Sequence, residues 1–240
     1  MNTLPNSTTD RQPPYADASL SPLELKAIKW LDGFYQLEHL LAARKWAIQL
    51  AGSASPELKF AALVHDAERF FPGGPSSTPS DGFDNPDYLF LHSTRSADIV
   101  DKWLKSEVPN GDDRFARRVR TLILRHEIGG NHEEDILQAA DSLSFLETFD
   151  WLAVEWVNKG IFTFDEAQAK LDWMVARIRI SDAVTAILPF YSRAVDRLKN
   201  ATKTVINLQE CRAFASSASR LIGSLNEEIE AGSTAQRLPR

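Results

Sequence analysis

The stretch Leu58–Phe71, LKFAALVHDAERFF, decides how the rest of the chain is read. An apolar helical run ends at His65-Asp66, which places an imidazole and a carboxylate at one point inside a hydrophobic layer. A buried carboxylate is costly unless it is paired, hydrogen-bonded or bound to a cation, so Asp66 requires partners from elsewhere in the chain. Just upstream, Ser55-Pro56-Glu57 is a helix-start signal, with Ser55 as N-cap and Pro56 in the first turn.

Outward from this stretch the same helical periodicity recurs. Leu25, Ile28, Trp30 and Leu31 precede Gly33, and Leu37, Leu40, Leu41, Ile48 and Leu50 form a second helix that carries His39 and stops at Gly52. Residues 72–87 (PGGPSSTPSDGFDNPD) are too rich in Gly, Pro, Ser and Asp for a packed element and read as a long loop, either a lid or a disordered insertion. Ser96–Val108 is amphipathic, with His92 expected at its entrance. Arg114–His126 forms another helix that stops before Gly129-Gly130, and a further one from about Glu133 carries Asp141 within an apolar stripe. Three more helical segments follow, over 164–181, 183–200 and 204–230. Strand-type alternation is scarce, so the expected fold class is all-α. The expected organisation is a flexible leader over 1–22, a metal-binding domain over 23–158, a C-terminal helical extension packed on it over 159–230, and a tail over 231–240.

The totals narrow the class of function. A chain of 240 residues with 43% hydrophobic content can bury a substantial core. A net charge of −6 argues against general nucleic-acid binding, which depends on many cationic contacts to phosphate. The single cysteine, Cys211, leaves no disulfide framework and no Cys-rich zinc site, and it fits a reducing cytoplasm. No apolar run approaches the roughly 18 residues of a membrane span, and the first residues lack a signal core, so the expectation is a cytoplasmic protein with no membrane partner.

The chain has five histidines, and His39, His65, His92 and His126 fall in helical or helix-edge apolar context, as do Asp66 and Asp141. Imidazole nitrogen and carboxylate oxygen suit iron, manganese, zinc and related divalent ions. Any one such histidine is more often a core residue bonded to a carbonyl; it is the joint occurrence that points to metal. Six ligands exceed one tetrahedral centre, and two ions sharing Asp66 as a bridge would use all of them. His132, in a Gly-Asn-His-Glu loop, reads either as exposed or as a support behind a ligand, and not as a ligand itself.

These residues resemble the HD superfamily of metal-dependent phosphohydrolases: a helical His39, the His65-Asp66 pair, and Asp141 in the context AADSL. The resemblance spans about residues 34–147, and His92 and His126 extend it to the two-metal branch. Within that branch it is most similar to bacterial symmetrical diadenosine tetraphosphate hydrolases, through His126-Glu127-Ile128-Gly129 followed by Ala140-Asp141. That family usually carries a lysine where this chain has Arg69, which keeps the charge and adds a bidentate phosphate grip. The resemblance implies an HD-type helical bundle that hydrolyses a phosphate ester or anhydride of a nucleotide or dinucleoside polyphosphate. One ion would be held by His39, His65, Asp66 and Asp141, and a second by Asp66, His92 and His126, with iron or manganese favoured. Asp66 and Arg69 would be catalytic, with Arg69 also binding substrate. From their position near the ligands in sequence, Arg95 and Arg125, and with them Arg44 and Lys45, are candidates for holding further phosphates of the substrate, although each alone reads more readily as a solvated surface charge. Phe70, Phe71, Phe83 and Tyr88 are candidates for stacking on a base, although core packing is the stronger reading of each. The C-terminal helices would cover the site or form a homodimer interface. The same ligand order also resembles the di-iron oxygenases of the superfamily, and a non-catalytic metal-stabilised sensor is a third alternative.

Overall fold

A computed structural model describes residues 20–108, 111 and 113–217, with side chains through 201. Most of the expected leader, the final part of the expected last helix and the tail lie outside these residues. Nine α-helices and no strand occur among the described residues, so the fold is all-α. None of the helices is long and apolar enough to cross a membrane.

The centre of the molecule is α3 (Pro56–Val64), the helix that leads to His65-Asp66. Leu58 and every residue from Phe60 to Val64 are buried, as expected of a helix whose last five residues are apolar on every side. It is enclosed by α1 (Pro22–Trp30), α2 (Leu37–Ala51), α5 (Asp113–Arg125) and α6 (His132–Thr148). Its start follows the sequence signal: the Ser55 hydroxyl accepts from the Leu58 amide at 3.1 Å and donates to Glu133 on α6 at 2.7 Å. Its end is capped by the site itself. The Ala62 carbonyl accepts from His65 Nδ1 at 3.0 Å, and the His65 carbonyl accepts from the Ser96 hydroxyl. Two carbonyls that a helix terminus leaves without partners are thereby satisfied. The chain then tightens into a 3₁₀ turn, Ala67–Phe70.

Helices α2 and α6 form the most extensive helix pair. Ala42, Ala43 and Ala47 on one and Ala139 and Ala140 on the other are fully buried, and such small side chains let the backbones approach. Asp141 is carried into the interior by this packing, since its neighbours Ala140, Ser142 and Leu143 are all buried.

Four features differ from the sequence reading, one of them the helix expected over 164–181, which ends at Ala176. Helix α4 (Pro86–Glu107) begins well before Ser96, because Asn85 accepts from the Asp87 and Tyr88 amides at 2.9 and 3.2 Å and Pro86 occupies the first turn. His92 therefore sits inside a helix and not at its entrance, and the preceding loop ends at Asn85. A short helix, α7 (Leu152–Asn158), was not anticipated. After α8 (Phe164–Ala176), the segments expected over 183–200 and from 204 merge into one helix, α9 (Ser181–Ser217). No breaker separates Asn200 from Thr204, and Pro189 is accommodated within the helix. Leu171, Met174, Ile187 and Leu198 from these later helices belong to the same core as Leu40 and Leu63.

Candidate metal centre

Five elements bring the site together: α2 supplies His39, the end of α3 supplies His65 and Asp66, α4 supplies His92, the turn after α5 supplies His126, and α6 supplies Asp141. The four histidines and Asp141 are all buried. Asp66 is the hub. Its Oδ1 lies 2.9 Å from His92 Nε2, 3.7 Å from His126 Nε2 and 3.9 Å from His65 Nε2, while Oδ2 lies 3.9 Å from His39 Nε2. Asp141 Oδ1 lies 3.3 Å from both His39 Nε2 and His65 Nε2. All six residues expected from the sequence to ligate metal are thus in one cluster. His132 is exposed, the first of its two expected placements, and it opens α6 instead of lying in a loop.

Several side chains that sequence reading did not assign complete the cluster. Glu127 places Oε1 3.7 Å from His126 and 3.8 Å from His92. Arg177, at the end of α8, bonds Glu127 and Asp141 together and donates to the Ser142 hydroxyl at 2.8 Å. Glu68 accepts from His92 Nδ1 at 2.7 Å. Three triads have ligand atoms close enough to share an ion: His39, His65 and Asp141; His65, Asp66 and His126; His92, His126 and Glu127.

The donor set fits a metal by a criterion beyond proximity. Histidines that bind metal through one nitrogen normally donate the other N–H to a carbonyl or carboxylate, which fixes ring and tautomer. Three of the four do so here: His65 Nδ1 meets the Ala62 carbonyl, His126 Nδ1 meets the Ile123 carbonyl at 2.7 Å, and His92 Nδ1 meets Glu68, whereas His39 Nδ1 is buried without a hydrogen-bond partner. The opposite nitrogen of each faces the cluster. His126 Nε2 is fully buried and has no hydrogen-bond partner, a costly arrangement for a polar atom that an ion would resolve.

The electrostatics describe a site short of positive charge. Burial pushes the His65 imidazole down, but Asp66 and Asp141 outweigh it and lift it to about 9, so the carboxylates recruit a proton there. Burial pushes Asp66 up, yet His65 and His92 hold it well below the usual carboxylate range, and Asp141 is held down chiefly by Arg177. Burial pushes His126 down to about 4, leaving it neutral at pH 7 with its lone pair available.

A cavity of about 120 Å³ opens above the cluster, with His39, Asp66, His92 and Asp141 among its lining residues. Arg69, Lys170 and Arg177 contribute cations to its wall. Arg69 is anchored by Tyr88, with Nη2 2.5 Å from the hydroxyl, and by Glu68 and the Pro75 carbonyl at 3.2 Å each. Burial pushes the Lys170 ammonium down to about 7. Of the aromatic candidates, Phe83 and Tyr88 line the cavity, whereas Phe70 packs on Phe34 and Phe71 packs on Trp30. The other basic candidates are placed elsewhere. Arg125 is exposed, Arg95 bonds the Pro72 carbonyl at 2.6 Å and faces a groove with Asp98 and Lys102, Arg44 pairs with Glu24 at 2.5 Å, and Lys45 pairs with Glu147 at 2.7 Å.

Buried His, Asp and Glu groups able to hold a metal ion, set beneath a cation-walled cavity in an all-α fold, are therefore the defining feature of the chain. Comparison with protein-family models, curated proteins and solved structures gave no match.

Proposed function

We propose that the chain is an HD-type, metal-dependent phosphohydrolase acting in the cytoplasm on a phosphate ester or anhydride. The observation that carries this reading is a cluster of four imidazoles and three carboxylates, of which His39, His92, Asp66, Glu127 and Asp141 line a cavity together with Arg69, Lys170 and Arg177. His39, His65 and Asp141 would hold one ion and His92, His126 and Glu127 a second, with Asp66 between them. Bound divalent ions, with iron or manganese favoured by the donor set, supply Lewis acidity that lowers the pKa of water and screens phosphoryl oxygens.

The protein's own groups do the rest. Glu68 and the Ala62 and Ile123 carbonyls hold the rings in register. Arg177 limits repulsion between Glu127 and Asp141. Arg69, fixed by Glu68 and Tyr88, faces the cavity with a charge suited to a phosphoryl group gaining negative charge. Water adds to phosphorus, the P–O bond to the leaving group breaks, and that oxygen takes a proton to leave as an alcohol or a phosphate.

Elemental analysis of purified protein, run beside a screen of phosphomonoesters, nucleotides and dinucleoside polyphosphates, tests the reading. The expected result is two divalent ions per chain and metal-dependent phosphate release. One ion per chain would remove the two-ion arrangement. Iron-dependent dioxygen consumption without phosphate release from any substrate would replace hydrolysis by oxygenation.

A further inference from the structure

Lys170 stands apart from the other cations of the cavity. Arg69 is paired with Glu68, and Arg177 is paired with Glu127 and Asp141. The Lys170 ammonium instead sits among rings, 4.3 Å from the centroid of Trp173, 4.6 Å from Phe83 and 5.4 Å from Phe145. Among the described residues no carboxylate lies within ion-pair distance of it. Ring faces attract a cation but offer no oxygen to its three N–H donors. A cation that lines the cavity with no carboxylate at ion-pair distance marks a place where a ligand supplies the counter-charge.

The cavity also limits what that ligand is. Part of its wall is Phe83, brought over from the loop between Phe71 and α4 and packed 5.6 Å from Trp156 and 5.0 Å from Phe162. The cavity holds about 120 Å³, somewhat less than the roughly 150 Å³ that accommodates benzene and well short of the roughly 300 Å³ at which sites for drug-sized ligands begin. A phosphoryl group with a few attached atoms fits within this space, and a nucleoside would extend beyond it.

We propose that Lys170 is the substrate-binding residue that sets specificity, holding the phosphoryl oxygens of a compact phosphomonoester while Phe83, in the cavity wall, narrows the site against esters that carry a nucleobase. This rests on the hydrolytic reading above and narrows its substrate class. It also assigns a task to α8, which lies beyond the part of the chain that carries the resemblance.

The test uses metal-loaded full-length protein as wild type, Lys170→Met, Lys170→Arg and Phe83→Ala, each checked for metal content and thermal melting. Methionine is apolar, of similar length and at home among aromatic rings. Inorganic phosphate is titrated calorimetrically, with acetate as comparator, and initial rates are measured on esters from three-carbon phosphates to nucleoside 5′-monophosphates. Lys170→Met is expected to weaken phosphate binding by about tenfold or more, the loss of a charged hydrogen bond, and to raise KM more than it lowers kcat. Lys170→Arg should restore part of the binding, and Phe83→Ala should gain activity on nucleoside monophosphates. Unchanged phosphate affinity in a folded Lys170→Met protein, equal affinity of wild type for acetate and phosphate, or wild-type turnover of nucleoside monophosphates as fast as three-carbon esters would each overturn the proposal. If no ester is hydrolysed while phosphate binding is lost in Lys170→Met, the anion contact stands and the hydrolytic reading falls.

Discussion

Asp66→Ala is expected to leave the purified protein nearly free of metal and without measurable turnover. The carboxylate approaches all four histidines, so its removal takes away the one group that both proposed ion positions share. Loss of a group that merely orients a ligand typically costs 10- to 100-fold in metal affinity, so loss of this hub is expected to cost at least about 100-fold. Asp66→Asn, which keeps the shape and removes the charge, should show the same loss with the fold retained, separating metal binding from packing. Elemental analysis and circular dichroism on both variants check this. A folded Asp66→Asn protein carrying two ions would exclude Asp66 as the bridge.

Arg177→Met is expected to lower thermal stability sharply in metal-depleted protein and much less in metal-loaded protein. The guanidinium is buried and bonded to two carboxylates, and removing one partner of a buried ion pair costs about 3–5 kcal/mol because it strands the other. At about 2–4 °C per kcal/mol for a chain of this size, the melting temperature of the metal-free protein should drop by roughly 6–20 °C. Bound cations would take over the neutralisation, so the loaded protein should lose only a fraction of that. Adding Glu127→Gln to Arg177→Met should recover part of the loss, since it removes one of the stranded charges. Equal losses in the loaded and metal-free forms would show that Arg177 contributes packing and not charge balance.

The parts of the site legible in sequence were those whose context was anomalous at short range. His65-Asp66 stood out because an apolar helix ran straight into it, and Asp141 because it interrupted a stripe from Ile136 to Leu146. The fold class followed from the same periodicity. Glu127 escaped notice although it adjoins His126, because a glutamate in a turn before two glycines is an ordinary solvated residue until α4 and α8 enclose it. Arg177 and Lys170 escaped for a different reason: the carboxylates that pair with Arg177 lie far away along the chain, and only the packing of α8 against α6 and α7 brings either cation to the cavity. A signal for Arg177 did exist, since it lies between Trp173-Met174-Val175 and Ile178, where a charge needs a buried partner. The start of α4 was hidden because Asn85-Pro86, a sound cap and first turn, ended a stretch whose composition read as loop. Helix α7, at seven residues, is too short for periodicity to reveal.

The placement of Arg177 has a thermodynamic consequence for the ions as well as for the fold. A guanidinium that neutralises Glu127 and Asp141 competes with divalent cations for the same negative charge, so part of any ion's binding free energy is already spent when α8 is docked. Linkage makes this reciprocal. An ion that drew Glu127 and Asp141 toward itself would loosen their hold on Arg177, and anything that shifted α8 away from the cluster would tighten the proposed centre's grip on metal. The affinity of such a centre would therefore be set in part by a residue that does not ligate the ion, on a helix to which sequence alone gave no role in metal binding.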